Sequence, residues 1–177
     1  MMFIKIVIGR LFVNVVSAYA PHVGLDEEVK RLFWEDLDKV VRSIPSTEKI
    51  FIGGYFNGHM YTTSNGFDDI YGGFGFVERN GGGVSILEFA KAFELVIANS
   101  YFLKRDNKLV TFSSTIARTQ IDCLLLQKGD RGIVKDCKVI PSENITTQHK
   151  LLVMDLEVKR DRLKKTLYDR PRIRWGG

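Results

Sequence analysis

A chain of 177 residues, 45% of them apolar, holds enough material for one ordinary hydrophobic core and too little for two, which excludes a disordered segment. The formal charge of +5 lies entirely at the end: residues 157–177 hold eight Lys/Arg against Glu157, Asp161 and Asp169, and the preceding residues are formally neutral. No apolar run reaches the length needed to span a bilayer, and Cys123, Cys137 and three scattered histidines lack zinc-site spacing.

Phe3–Ile8 and Leu11–Tyr19 are β-rich runs separated by Gly9-Arg10, which predicts a hairpin whose second strand is largely buried. Met1–Ala20 also carries a lysine, an apolar stretch and the small-x-small triplet Ala18-Tyr19-Ala20 of a signal-peptidase site. Arg10 and Asn14 interrupt that stretch, and its alternation reads as strands, so an intracellular chain is expected. The two cysteines form no C-x-x-C pair and agree with a reducing compartment, with a single disulfide as the alternative.

A helix is predicted over residues 26–42. Asp26, Glu27 and Glu28 suit its positive N-terminal end, Val29, Leu32, Phe33, Leu37, Val40 and Val41 recur at helical spacing, and Pro45 stops it. Lys49–Gly53 reads as the next strand. Residues 57–83, rich in glycine and aromatics, read as a long loop forming a functional or mobile surface. A second helix is expected over 84–93, followed by a short apolar run over 95–99. Strands are then expected over 110–112, 120–127, 134–140 and 150–156. Helices and strands alternate in the first half and strands dominate the second, which fits a layered α/β domain.

Chemistry concentrates where four of these strands end or begin: Ser17-Ala18-Tyr19-Ala20-Pro21, Gly53-Gly54-Tyr55-Phe56-Asn57-Gly58-His59, Arg118-Thr119-Gln120-Ile121-Asp122 and Thr147-Gln148-His149-Lys150. Each alone is the ordinary polar end of a buried strand. The glycines of 72–75 and 81–83 complete neither a dinucleotide fingerprint nor a phosphate loop, and Ser17, Ser113 and Ser114 lack a nucleophile-elbow context.

Taken in order, these segments resemble the endonuclease/exonuclease/phosphatase family, whose exonuclease III-like and apurinic endonuclease members cut phosphodiesters with a divalent metal. They are more similar still to the endonuclease domains of RTE-type non-LTR retrotransposons and to the craniofacial development protein 2-like proteins of plants. Ser17–Glu27, residues 50–59, Thr111-Phe112-Ser113-Ser114, Gln120-Ile121-Asp122 and Gln148-His149-Lys150-Leu151 carry the resemblance. It implies a partial four-layer α/β sandwich over residues 1–156 that matches the later part of a family domain, without the family's N-terminal half. A basic tail or linker would follow over 157–177. The resemblance also implies site residues. Tyr19 would contact the scissile phosphate, Asn57 would orient the phosphate or attacking water, and Asp122 would set the tautomer of the catalytic His149.

Two positions depart from the family pattern. Tyr55 stands where the family's G-D-F-N carries its aspartate, and Gln148 stands where an aspartate precedes the histidine. A neutral phenol is a poor general base, and an amide brings no charge to a cation. Asn57 and Asp122 are then weak candidate ligands for the Mg²⁺ or Mn²⁺ the family uses. The family's glutamate ligand precedes the part matched here. The expectation is a degenerate fragment of a retrotransposon-derived DNA endonuclease, inactive by itself. The alternatives are an active Mg²⁺-dependent phosphodiesterase or a non-enzymatic nucleic-acid-binding module. DNA would be held by the site face and by Lys159, Arg160, Arg162, Lys164 and Lys165; the tail reads equally as a solvated extension. Self-association through an exposed sheet and a nuclear location complete the expectation.

Overall fold

The computed structural model describes residues 1–22, 24–56, 66–75 and 84–158. Asn57, His59, most of the glycine-rich loop and the basic tail from Lys159 lie outside the described residues.

Strand β1 (Met2–Ile8) and strand β2 (Leu11–Tyr19) form the expected antiparallel hairpin, in a register that pairs Ile8 with Leu11. Gly9 turns the chain at φ 66°, a conformation that favours glycine. Helix α1 (Glu27–Ser43) crosses back to strand β3 (Lys49–Tyr55), which lies parallel to β2. Helix α2 (Val84–Ala92) leads into strand β4 (Leu95–Ile97). Two-residue strands β5 (Phe112–Ser113) and β6 (Arg118–Thr119) pair with each other. Strand β7 (Asp122–Gln127) returns to the main sheet between β3 and β4, antiparallel to both. Strands β8 (Val134–Asn144) and β9 (Lys150–Leu156) form a second, two-stranded sheet. The five-stranded sheet has the order β1-β2-β3-β7-β4.

Side-chain alternation divides the core in two. Val16, Ala18, Ile50, Ile52, Cys123 and Leu125 point to one face and pack with Leu37 of α1 and Ile86, Phe89 and Ala90 of α2. Val13, Phe51, Leu126 and Val96 point to the other and meet Cys137, Leu152 and Met154 of the β8–β9 hairpin. Both cysteines are buried, and neither is in a disulfide among the described residues.

Several readings differ from the sequence expectation, and β3 runs on to Tyr55, two residues past the expected Gly53. The α1 stripe is shorter: Leu37 is fully buried and Phe33, Trp34, Val40 and Val41 pack on the core, whereas Val29 and Leu32 are exposed because the sheet core lies beneath the later turns. The run 95–99 is strand only to Ile97; Ala98–Ser100 form a 3₁₀ turn. Residues 110–111 and 120–121 are not strand, because Thr111 and its neighbours bond across a turn to Thr119, Ile121 and Asp122 and leave only Phe112–Ser113 in a ladder. Strand β8 continues past Pro141, which has no N–H to offer, by slipping register between Ile140 and Asn144.

One edge stands out. Every residue of β1 is exposed, and the apolar members alternate to both faces: Met2, Ile4, Ile6 and Ile8 on one, Phe3 and Val7 on the other. β1 is also the outermost strand of its sheet, so its free backbone groups and both faces meet solvent together.

Candidate functional site

Three neighbouring strands place three side chains side by side on the face that carries the β8–β9 hairpin. The parallel β2–β3 register pairs Tyr19 with Tyr55, and the antiparallel β3–β7 register pairs Tyr55 with Asp122. The close approach that allows this depends on Gly54: a Cβ there would lie 1.8 Å from the carbonyl oxygen of Ala18. The Ala20 N–H donates to Tyr55 O at 2.7 Å and closes the end of the pair.

The fourth member arrives from the second sheet. His149 precedes β9, and its backbone pairs with Phe112 across an isolated bridge. Ser113 N–H donates to Gln148 O at 2.9 Å and Lys150 N–H donates to Thr111 O at 2.8 Å, which clamps His149 between them. Its Nδ1 lies 3.1 Å from Asp122 Oδ2. Such a contact fixes the ring orientation and, with Nδ1 protonated, leaves Nε2 as the free nitrogen. Phe112 and Tyr55 box the imidazole edge-to-face, with ring centroids at 5.1 and 5.5 Å.

Asp122 is itself anchored. Its N–H donates to Thr111 Oγ1 at 3.1 Å, and its carbonyl accepts from Asn99 Nδ2 at 3.3 Å. Asn99 Oδ1 in turn accepts the N–H of Leu124 at 3.1 Å. Asn99 and Thr111 are both buried. The sequence reading gave neither a positioning role; the available signal was a polar residue closing the apolar runs 95–99 and 109–111, since buried polar groups need partners.

Tyr55 is the chemically decisive neighbour. Its ring stacks on Tyr19 with centroids 5.0 Å apart and planes at 20°. Burial, then the nearby Tyr19 and Asp122, pushes its phenol above the usual tyrosine range. At neutral pH it carries no charge and accepts no proton readily. Gln148 is exposed, and its backbone N–H is 3.4 Å from Thr146 Oγ1.

Among the described residues no group of three His, Cys, Asp or Glu side chains could hold a metal ion. Among the described residues the anionic donors at this site amount to Asp122, one of whose oxygens is engaged by His149. A hard dication needs several oxygen ligands with carboxylate among them. The described residues therefore do not fit Mg²⁺ or Mn²⁺.

This architecture, helices on one face of a mixed sheet and a second sheet on the other, with the strand-end site between them, is the endonuclease/exonuclease/phosphatase fold. The endonuclease domain of TRAS1, a telomere-specific non-LTR retrotransposon, matches with a TM-score of 0.61 over 89% of this chain and 64% of that domain, at 15% identity. The 3′ phosphatase NExo from Neisseria, bound to a product DNA hairpin, matches with a TM-score of 0.59 over 88% of this chain and 65% of that one, at 11% identity. In sequence, the chain is similar to craniofacial development protein 2 of Bos taurus, 30% identical over 161 residues and covering 89% of this chain. It spans 27% of the length of that relative. No protein-family model matches the chain.

Proposed function

We propose that the chain is a catalytically impaired derivative of a retrotransposon-type, metal-dependent DNA endonuclease domain. The observation that carries this reading is Tyr55, an uncharged phenol directly across β3–β7 from Asp122. Hydrolysis of a phosphodiester calls for an activated water and stabilisation of charge on the non-bridging oxygens. Asp122 and His149 form an oriented pair able to hydrogen-bond a phosphoryl oxygen or pass a proton. Tyr55 offers neither a base nor a ligand beside them. Losing both functions at one position costs several orders of magnitude in rate.

On this reading residues 1–156 form the folded domain and 157–177 a basic tail. DNA approaches Tyr19 and His149, with Lys159, Arg160, Arg162, Lys164 and Lys165 adding contacts to phosphate. Action on DNA puts the chain inside the cell, in the nucleus. Among the described residues no helix is long and apolar enough to cross a membrane.

The deciding experiment is nicking of supercoiled plasmid in Mg²⁺ or Mn²⁺, against an EDTA control. The native chain is expected to stay silent. Nicking by the native chain that disappears in His149→Ala would replace this reading with an active phosphodiesterase. Nicking by Tyr55→Asp alone would assign the loss to that one side chain.

A further inference from the structure

Four aromatic rings run in a row through the site: Tyr19, Tyr55, His149 and Phe112, at successive centroid distances of 5.0, 5.5 and 5.1 Å. Tyr55, His149 and Phe112 are partly buried. Tyr19, at 67% exposure, is the most exposed of the Phe, Tyr and Trp rings among the described residues. One of its faces lies on Tyr55. The β1–β2 register ends at Met2–Ser17, so no β1 residue is paired alongside Tyr19.

We propose that Tyr19, backed by Tyr55, is a stacking platform for an unpaired base of single-stranded nucleic acid. The inference rests on the reading that the chain retains the nucleic-acid face of its fold, and it names what that face binds. Two observations and one property of base stacking support it.

First, the platform is pre-ordered. Tyr19 and Tyr55 are held in register on adjacent parallel strands, and the Ala20–Tyr55 hydrogen bond fixes the strand end, so little side-chain freedom is lost on binding. Second, the slot opposite Asp122 holds a phenol. A phosphodiester following the base into the site meets one carboxylate, already engaged by His149, so no dication is needed to offset a pair of them. Third, stacking needs a bare base face. Within a duplex both faces of each base are covered by its neighbours, so the platform selects unpaired bases and tolerates any sequence.

The test is fluorescence anisotropy with a labelled twelve-nucleotide oligothymidylate, the same strand built from abasic spacers, and a twelve-base-pair duplex, each in EDTA and in Mg²⁺. The full chain is expected to bind the oligothymidylate equally in both buffers and to prefer it to the other two probes. Tyr19→Ala should weaken that binding about tenfold or more, the factor corresponding to one base–aromatic stack. Tyr19→Phe, which keeps the ring, should retain it. Tyr19 is exposed, and circular dichroism of both variants checks that they fold. Equal affinity for the abasic strand, preference for duplex, an unaffected Tyr19→Ala, or no binding at all would each overturn the platform. The plasmid assay reports separately: metal-dependent nicking alongside intact oligothymidylate binding refutes the impaired-enzyme reading and leaves the platform standing.

Discussion

Tyr55 faces Asp122 across the antiparallel β3–β7 pair, in the same register that sets Tyr19 against Tyr55 across the parallel β2–β3 pair. A carboxylate at position 55 would therefore lie beside a second carboxylate, in a slot now filled by a ring that stacks on one neighbour and meets another edge-on. The consequence is thermodynamic as well as catalytic. Two adjacent carboxylates repel, and a cation between them relieves the repulsion. In EDTA, Tyr55→Asp should melt below the native chain, and millimolar Mn²⁺ should restore part of the difference by binding the folded state. The native melting temperature should not respond to Mn²⁺. Differential scanning fluorimetry reads both, and an equal Mn²⁺ shift in the two proteins would refute the argument.

The two glycines before Tyr55 should behave differently. A Cβ on Gly54 would meet backbone, the Ala18 carbonyl oxygen at 1.8 Å, whereas one on Gly53 would meet the movable end of Leu124 at 2.9 Å. Gly54→Ala should force β2 and β3 apart and cost about 3 kcal/mol or abolish folding. Gly53→Ala should cost markedly less, on the order of 1 kcal/mol, as Leu124 shifts. Urea denaturation of the pair compares them directly.

Much of this architecture was legible in the sequence, and the reasons are local. The β1–β2 hairpin announces itself by alternation around Gly9-Arg10, α1 by its acidic start and apolar stripe, and β9 by a clean run from Lys150 to Leu156. Where tertiary pairing decides, the reading slipped. Phe112–Ser113 is a strand only because Arg118–Thr119 lies opposite, and β8 passes Pro141 only because β9 tolerates a register shift. At the site, strand-end residues were visible as polar groups interrupting apolar runs, and Tyr19, Tyr55, Asp122 and His149 do come together. Asn99 and Thr111 were given no positioning role because they act through side-chain bonds to backbone that no spacing rule encodes. Val29 and Leu32 belong to the apolar stripe yet are exposed, because helical periodicity marks a face without saying how far the core extends beneath it.

Acid should weaken the second sheet at a particular residue. Partial burial works against the charge of Asp136, but Lys104 and Lys138 outweigh it and hold its carboxyl down at about 2. A carboxylate with its pKa lowered on folding stabilises above its unfolded value near 4 and loses that contribution as pH falls toward the folded value. Asp136→Asn should therefore destabilise by about 1–2 kcal/mol at pH 7, after allowance for solvent screening, and the deficit should close between about pH 4 and 2. Urea titrations at pH 7, 4 and 2.5 test the sign and the window.

The exposed β1 edge carries an expectation of its own. Its free backbone groups and two apolar faces favour pairing with another chain, so light scattering after gel filtration should show a mass that rises with concentration. Ile4→Lys with Ile6→Lys charges one face of an already exposed strand. The double variant should elute as a monomer at concentrations where the native chain does not, with little change in melting temperature. A native chain that is monomeric throughout would count against self-association.

The Asp122–His149 contact also carries information about how the chain acquires its structure. Its two halves belong to units with very different assembly requirements. The β8–β9 hairpin forms from residues near in sequence, while the five-stranded sheet must first bring β2 beside β3 and β7 across long connecting segments. Local contacts close early and distant ones late. On this ordering the imidazole is expected to meet its carboxylate as the hairpin packs Leu152 and Met154 onto the cluster of Leu126 and Phe51. During synthesis the Asp122–His149 contact cannot close until His149, just before the last described strand, has emerged. The ring environment of His149 is therefore a reporter of the final docking step, and its NMR signals should reach native positions only as the slowest folding phase completes.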